Sequence, residues 1–419
     1  MYRKETLGNG LKIITSAMPH THSVSICIYL GVGSRYESNV QAGVSHFLEH
    51  LCFRGTQKRH SAKDISEAIE GVGGILNGGT DKELTVYWCK VALPHFQIAL
   101  DVLADMVMNS RFESPDIERE RRVIIEEIGM SRDSPHQLVG MFIDELLWPH
   151  HPLGRDVAGT RESVGNMSRE QILDFLGCEY TPQNTVVSIA GNIQHDQIVE
   201  DVRRQFGDWS NRKRGLNYLA YEDKVNPRLK VESRETEQTH LCLALPGISL
   251  THPKRFTLDL LNVILGEGMS SRLFLEVRDK LGLAYNVHSY LDHFHDSGAL
   301  TVYAGVEPKN LTVSLEAILK QLALLKEPVP QEELTKAKEL SKGRLMLRME
   351  DSRSVAGWMG GQETLNGYIQ TVEEVIEKIN EVTAEGMAEI ARELFREDKL
   401  RLSVVGPVKD EGLADLLRV

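Results

Sequence analysis

The chain carries one strand-like stretch twice, first as Glu83-Leu84-Thr85-Val86-Tyr87 and again as Ala299-Leu300-Thr301-Val302-Tyr303. A second pair repeats at nearly the same offset, about half the chain, as Val187-Ser188-Ile189-Ala190-Gly191 and Leu402-Ser403-Val404-Val405-Gly406. In each copy a turn and a helical pattern follow the stretch. The sequence therefore predicts that the chain is a duplication.

The predicted fold class is α+β, with two duplicated domains that each pack helices on a mostly antiparallel sheet. We place the domains at residues 1–215 and 216–419. The charged, Pro-containing stretch Asn211–Glu237 is the predicted linker, and the polar stretch Asp292–Gly298 is a predicted turn. The clearest strand patterns are Ser23–Leu30, Leu84–Val91, Thr239–Leu245 and Leu283–Tyr290.

The composition narrows the class of protein. A net charge of -12 argues against nucleic-acid binding, which needs a basic surface. No run of residues has the apolar length of a secretory signal or a membrane span. Five scattered cysteines without a CxxC pair are typical of core thiols in a reducing compartment. We therefore expect a cytoplasmic protein that binds neither nucleic acid nor membrane.

The segment His46-Phe47-Leu48-Glu49-His50 is the strongest chemical signal in the chain. An HxxEH pattern arises by chance only about 0.05 times in a chain of this composition. On an α-helix the two histidines and Glu49 share one arc, whereas Phe47 and Leu48 fall on the opposite face. Two imidazoles one turn apart can bind zinc, and the carboxylate beside them can take a proton from a zinc-bound water. The order is the inverse of the common HExxH motif.

The alternative interpretation is a solvated helix face that carries two histidines without a metal. A catalytic zinc needs a third ligand from another segment, and a predicted helix over Arg119–Met130 offers one. Glu120 and Glu127 share the apolar arc of that helix, where a carboxylate is costly unless it is paired or binds a metal. Glu126 projects among charged residues, so Glu127 is the predicted ligand. Glu120 is predicted either to orient a ligand histidine or to form a buried ion pair with an arginine.

With these motifs identified, the sequence resembles the insulinase or pitrilysin family of zinc peptidases over nearly its whole length. It is similar to the two-domain members, such as the beta subunit of the mitochondrial processing peptidase and its bacterial homologues. The resemblance rests on His46–His50, the Glu120 and Glu127 pair, His151-Pro152-Leu153-Gly154, Tyr180-Thr181-Pro182 with Asn184, and Arg278 with Leu281-Gly282-Leu283-Ala284-Tyr285.

The resemblance implies that one zinc ion per chain is bound by His46, His50 and Glu127, with Glu49 as the general base. The second half has no HxxEH segment at the paired position, so the duplication retains a single zinc site. The expected activity is that of a zinc metalloendopeptidase that hydrolyses short or unfolded peptides inside a closed chamber.

Four further site residues come from the resemblance alone. Arg278 and Tyr285 are expected to help bind the carbonyl oxygen of the substrate, although by themselves they would be a surface arginine and a core tyrosine. The range Asn77–Tyr87 is similar to the family's edge strand, where Asn77 and Gly78 bind an extended peptide that adds to the sheet. The family usually has Ala after the Asn, so the two glycines here leave open whether the strand is ordered before substrate binds.

The family's chamber is closed by four domains of this type, and one chain supplies two. A homodimer, in which the N-terminal half of one subunit faces the C-terminal half of the other, is the simplest expectation, because the chain carries both the zinc motif and the Arg278 and Tyr285 pair. Two alternatives stay open. One is a heterodimer with an inactive paralogue, and the other is a structural subunit, as in relatives from a respiratory complex that have lost the metal ligands. No motif identifies the peptide substrate.

Overall fold

A computed structural model describes residues 2–210, 218–222, 227–410 and 412–419, so part of the predicted linker Asn211–Glu237 lies outside the described residues. The strands are β1 Tyr2–Thr6, β2 Lys12–Ala17, β3 Ser23–Leu30, β4 Ile75–Thr80, β5 Thr85–Ala92, β6 Thr185–Gly191, β7 Leu229–Ser233, β8 Thr239–Pro246, β9 Ala284–His293, β10 Gly298–Val306 and β11 Arg401–Gly406.

The α-helices are α1 Val44–Cys52, α2 Ala62–Glu70, α3 Phe96–Asn109, α4 Ser114–Asp133, α5 Pro135–Leu147, α6 Arg161–Asn166, α7 Arg169–Glu179, α8 His195–Phe206, α9 Arg255–Gly266, α10 Leu311–Leu324, α11 Gln331–Arg348, α12 Ser352–Asn366, α13 Val372–Glu381 and α14 Ala384–Leu394. A π-helix covers Phe274–Lys280. Within the described ranges, no helix combines the length and apolar character needed to cross a bilayer.

The chain forms two compact units, and neither is continuous in sequence. Unit 1 consists of Met1–Ile128, Asp156–Leu219 and Met346–Thr371. Unit 2 consists of Gly129–Arg155, Ala220–Leu345 and Val372–Val419. Each unit therefore combines most of one half of the sequence with a segment from the other half. The predicted boundary between residues 215 and 216 separates the two copies of the duplicated sequence, and it stays a prediction.

Each unit contains a mostly antiparallel sheet packed with helices, which confirms the predicted fold class. The strand order is β1-β2-β6-β3-β5-β4 in unit 1 and β7-β11-β8-β10-β9 in unit 2. The parallel pairs are β2 with β6 and β7 with β11. The repeated stretches occupy matching strands, β5 and β10 in one pair and β6 and β11 in the other. Apart from β1, the two sheets have the same topology, as a duplication requires.

One helix in each unit comes from the other half of the chain. In unit 1, α12 packs on β6, and Ser188 Oγ donates to Ala356 O at 2.7 Å. In unit 2, α5 packs on β11, and Ser403 Oγ donates to Val139 O at 2.7 Å. Ser188 and Ser403 are matching residues of the repeat. β6 and β11 are buried along their whole length, so each sheet must be covered by helices on both faces. The helix from the other half of the chain, α12 in unit 1 and α5 in unit 2, covers one of these faces.

The range Asn77–Tyr87 was predicted as one edge strand, and this is wrong. β4 ends at Thr80, the chain turns, and β5 pairs back on β4 in antiparallel register with Asn77 opposite Trp88. Two strands joined by a short turn satisfy more backbone groups than one long edge strand could, which explains the difference. β4 lies at one edge of the sheet in unit 1, and β1 lies at the other.

The polar stretch Asp292–Gly298 is a shorter turn than the sequence predicts. His293 pairs with Gly298 at the end of the β9 and β10 ladder, so only residues 294–297 connect the two strands. Polar residues at a strand end keep their backbone hydrogen bonds in the ladder, and composition alone does not reveal this.

Candidate metal centre

Helix α1 carries the HxxEH segment and is held in place by its apolar face. The residues of that face are buried in the core of unit 1, and they are Val44, Phe47, Leu48 and Leu51. His46, Glu49 and His50 lie on the opposite side of the helix and are partly buried. The amphipathic pattern of nine residues is therefore sufficient to direct the three polar side chains away from the core.

A buried carboxylate holds the N-terminal end of α1. Glu37, which is 3% exposed, accepts hydrogen bonds from Gly43 N at 2.7 Å and from Ser45 N at 2.8 Å, one on each oxygen. Gly43 has a φ of 93°, and a Cβ there would lie 2.4 Å from Ala158 O, so the position requires glycine. A negative charge at this end is favourable because the first N–H groups of a helix have no partner within it. Glu37 thereby fixes the start of the helix that carries both histidines.

The structure brings His46, His50 and Glu127 together. The Nε2 atoms of the two histidines are 3.2 Å apart, and Glu127 Oε2 lies 3.6 Å from His50 Nε2 and 4.0 Å from His46 Nε2. Ligands at about 2.0 to 2.1 Å from a tetrahedral zinc are separated by roughly 3.3 Å, so the three atoms fit this ion. Among the described residues, no second group of three His, Cys, Asp or Glu side chains converges in this way.

Helix α4 supplies both glutamates that the sequence analysis selected. Glu120 is 2% exposed, and its Oε2 lies 3.1 Å from His50 Nδ1 while Oε1 pairs with Arg54. The sequence left two alternatives for Glu120, which were a contact with a ligand histidine and an ion pair with an arginine. Both are present at the same carboxylate. Glu126, in contrast, is exposed. Because a carboxylate on Nδ1 favours the tautomer with a free Nε2, Glu120 orients His50 with Nε2 toward His46 and Glu127.

The protonation of the site follows from burial and from neighbouring charges. Burial and the adjacent His50 lower the pKa of His46 to about 4. Burial also acts to lower the pKa of His50, but the hydrogen bond with Glu120 and the negative charge of Glu127 outweigh it and raise that pKa above its usual value. At neutral pH His46 is therefore a neutral imidazole, the form that binds metals.

Glu49 lies beside the edge strand β4. Its Oε2 accepts a hydrogen bond from Thr80 Oγ1 at 2.6 Å. Burial raises the pKa of Glu49, and the hydrogen bond from Thr80 opposes only part of this effect. A carboxylate with a raised pKa is a stronger base, and this makes Glu49 suitable for accepting a proton.

The strand β4 presents Asn77 and Gly78 next to α1. Asn77 is exposed, and its Oδ1 accepts a hydrogen bond from Gly78 N at 2.8 Å. A Cβ at Gly78 would lie 3.1 Å from Glu49 Oε1 and 3.0 Å from the ring of Phe53. The glycine therefore allows the strand to approach the general-base candidate more closely than a larger residue would allow.

The structure places Arg278 and Tyr285 in unit 2, apart in sequence from the zinc motif of unit 1. Tyr285 is 78% exposed, and the Arg278 guanidinium lies 5.0 Å from the centre of its ring. Tyr285 is the extra residue of a β-bulge, because Gly305 pairs with Asn286 and the next pair is Val306 with Ala284. A bulge redirects a side chain out of the strand alternation, which explains why this tyrosine is not in the core.

Sequence reasoning missed three residues that support the site, namely Glu37, Arg54 and Thr80. Strand alternation places Thr80 on the same face as Gly78, so the contact with α1 could have been proposed from the pattern. Glu37 and Arg54 carry no comparable signal, since each acts through a contact set by the fold.

Two histidines and a downstream glutamate, on an HxxEH helix in a duplicated α+β chain, define the class of inverted-motif zinc metallopeptidases. Comparison with known families agrees with this class. Residues 12–161 match the family described as insulinase (peptidase family M16), and residues 166–341 match the one described as peptidase M16 inactive domain.

Individual relatives cover nearly the whole chain. The Bacillus subtilis protein named uncharacterized zinc protease YmxG is 38% identical over 97% of this chain and 98% of its own length. A Mycobacterium tuberculosis protein named uncharacterized zinc protease Rv2782c is 40% identical over 97% and 93%. The crystal structure of a protease from Helicobacter pylori has a TM-score of 0.92 at 23% identity, covering 97% of this chain and 99% of that one. The chain belongs to the insulinase family of peptidases, family M16, which confirms the resemblance.

Proposed function

We propose that the protein is a zinc-dependent endopeptidase that hydrolyses short or unfolded peptides, with one zinc ion per chain. The observation that supports this most strongly is the triangle of His46 Nε2, His50 Nε2 and Glu127 Oε2, with separations of 3.2, 3.6 and 4.0 Å. When bound, zinc supplies Lewis acidity that lowers the pKa of water and polarises a peptide carbonyl. Three protein ligands would hold the ion and leave it accessible to water and substrate, as a catalytic site requires.

Glu49 performs the proton transfers in this proposal. One of its oxygens accepts a proton from the attacking water as the water oxygen bonds to the carbonyl carbon of the peptide. The same carboxyl group then donates that proton to the amine nitrogen as the C–N bond breaks. Its position on α1, one residue before His50, and its raised pKa support this assignment.

We assign peptide binding to the outer edge of β4. An extended peptide that adds to this edge gains backbone hydrogen bonds without a strong demand on its sequence, so unfolded segments are the expected substrates. Asn77 and Gly78 lie on this strand. Arg278 and Tyr285 are assigned to the carbonyl oxygen of the substrate, where a guanidinium and a phenol can stabilise developing negative charge.

The activity assignment is tested with Glu49→Gln and a matched surface variant, Glu126→Gln. Glu49→Gln is expected to retain one zinc per chain while cleavage of an unstructured fluorogenic peptide falls by a factor of about 100 to 10,000, the range typical of general base loss. Glu126 is exposed, so Glu126→Gln is expected to cleave at the wild-type rate. Cleavage by Glu49→Gln at the wild-type rate would refute the role of Glu49, and zinc-loaded wild type without any cleavage would refute an activity of the chain by itself.

The chamber and its oligomeric state extend the same proposal. A closed chamber built by a homodimer is the simplest arrangement, because the chain holds both the zinc motif and the Arg278 and Tyr285 pair. Light scattering on the purified protein gives the mass directly. A monomer that becomes active only with a second polypeptide would favour the heterodimer with an inactive paralogue.

A structural role is the second candidate. A chain in the complex III2 structure from Candida albicans has a TM-score of 0.82 at 18% identity and covers the whole of this chain, so the same fold is found in that complex. The convergence of His46, His50 and Glu127 favours the enzyme, since a scaffold has no need of metal ligands. Stoichiometric zinc without cleavage of any unstructured peptide would favour the scaffold or a subunit that depends on a partner. The cytoplasmic location stays a prediction.

A further inference from the structure

We propose that Thr80 is a positioning residue that holds Glu49 Oε2, so that Glu49 Oε1 is the oxygen that exchanges the proton with water. The inference rests on the proposed peptidase function and assigns different tasks to the two oxygens of one carboxylate. Thr80 itself contacts neither the ligand atoms nor, in this proposal, the substrate.

The first observation is the hydrogen bond itself. Thr80 Oγ1 donates to Glu49 Oε2 at 2.6 Å, a short distance of the kind found when a hydroxyl donates to a carboxylate. Thr80 is the last residue of β4 and pairs with Thr85 of β5, so its backbone is fixed by the ladder. Its side chain therefore holds Glu49 from a rigid point.

The second observation concerns the other oxygen of the carboxylate. Oε1 faces Gly78, where a Cβ would lie only 3.1 Å away. The two oxygens therefore differ in their surroundings, since Oε2 accepts a hydroxyl donor and Oε1 lies beside a backbone without a side chain. A carboxylate oxygen can accept more than one hydrogen bond, but an oxygen already bound at close range is the weaker proton acceptor. This assigns the proton transfer to Oε1.

Thr80 is needed because a glutamate is flexible. The terminal torsion of Glu is broad and nearly two-fold, so the carboxylate of Glu49 could rotate freely without a fixed donor. A general base acts only when it lies within hydrogen-bond reach of the proton that it removes. Since β4 is also the proposed peptide-binding edge, the same strand would position the substrate and the base.

The variants that test this are Thr80→Val, which has the same shape without the hydroxyl, and Thr80→Ser, which restores the hydroxyl. For Thr80→Val we expect kcat to fall by a factor of about 10 to 100, as for the loss of a hydrogen bond to a charged group. KM and the zinc affinity from chelator competition are expected to stay within about twofold, because the substitution leaves the backbone of β4 in place and the Thr80 side chain holds neither substrate nor metal. Thr80→Ser is expected to recover kcat to within about threefold of wild type.

Crystal structures of the same variants give a readout that does not depend on activity. In Thr80→Val the Glu49 side chain is expected to occupy more than one conformation, whereas in wild type and Thr80→Ser it occupies one, with Oε2 on the hydroxyl. An unchanged single conformation in Thr80→Val would overturn the inference, as would an unchanged kcat or an equal loss of kcat in both variants. A zinc-loaded wild type that cleaves nothing would instead refute the peptidase function, and the proton-transfer assignment with it.

Discussion

Replacing Glu37 with glutamine removes one of the two acceptors that hold the N-terminal end of α1. In the native protein the two oxygens accept from Gly43 N at 2.7 Å and Ser45 N at 2.8 Å. Glutamine retains one oxygen, and its NH2 group would face the second N–H. A buried donor without a partner costs about 1 to 3 kcal/mol, and loss of the charge at a helix N-terminus adds about 0.3 to 1 kcal/mol. The expected loss of local stability is therefore roughly 1.3 to 4 kcal/mol.

Hydrogen exchange measured by mass spectrometry on peptides from α1 is the appropriate assay, because it reports the opening of one segment. A chain with two compact units does not guarantee a single unfolding transition, so a melting temperature would be a poor readout. At about 1.4 kcal/mol per factor of ten, exchange in α1 is expected to become roughly ten-fold to several hundred-fold faster.

The matched control is Ser38→Ala, one residue away. Ser38 is exposed and its Oγ donates only to Gln41, so exchange in α1 is expected to change by less than about threefold. Helix α8 in the same unit serves as an internal reference. Unchanged protection of α1 in Glu37→Gln would refute the capping argument, and equal loss in α1 and α8 would show that the effect is not local.

Three further predictions concern the metal centre, the strand beside it and helix α12. Glu120→Gln is expected to weaken zinc binding about 10-fold to 100-fold in chelator competition, because it weakens the hold on His50, whereas Glu126→Gln leaves it unchanged. Equal zinc affinities in the two variants would rule out the role of Glu120 in holding His50. Gly78→Ala is expected to change kcat more than Gly79→Ala, since a Cβ at Gly78 would contact Glu49 and Phe53 at 3.0 to 3.1 Å and one at Gly79 would meet Val86 at 4.0 Å. Equal rates would show that β4 yields to the methyl group. Burial raises the pKa of Glu363, but hydrogen bonds from lysines of β1 and β2 outweigh it and hold the pKa below its usual value. The stabilisation of α12 by Glu363 is therefore fully present at a pH above about 4.3, the pKa of a glutamate in the unfolded chain. It is lost as the pH falls through the lower pKa of Glu363 in the folded chain. Hydrogen exchange of α12 against pH measures this, and Glu363→Gln is expected to abolish the dependence.

Several parts of the candidate site could be predicted from local pattern. His46, Glu49 and His50 fall on one arc because helical periodicity is a property of the segment itself. Glu127 was separated from Glu126 by the cost of placing a carboxylate on an apolar face, and the structure brings Glu127 to the histidines while Glu126 is exposed. The metal-binding role of these residues stays a prediction until zinc content is measured.

Other parts depend on partners that no local pattern identifies. The range Asn77–Tyr87 was predicted as one strand, because the turn after Thr80 becomes favourable only once β4 and β5 pair. The side chain of Tyr285 was placed by a bulge, which depends on the register between β9 and β10. Strand pairing is a contact between segments, so neither feature is encoded within a single segment.

The sequence by itself determined the duplication, the α+β class and the HxxEH helix, since repeats and periodicity are visible in one dimension. Only the tertiary structure decided that α12 covers the sheet of unit 1 and α5 the sheet of unit 2, because any amphipathic helix could cover an apolar face. It also decided that Glu37 holds the start of α1 and that Thr80 holds Glu49. These contacts join residues that only the folded backbone brings within hydrogen-bond distance, and that is the physical reason why the sequence alone did not reveal them.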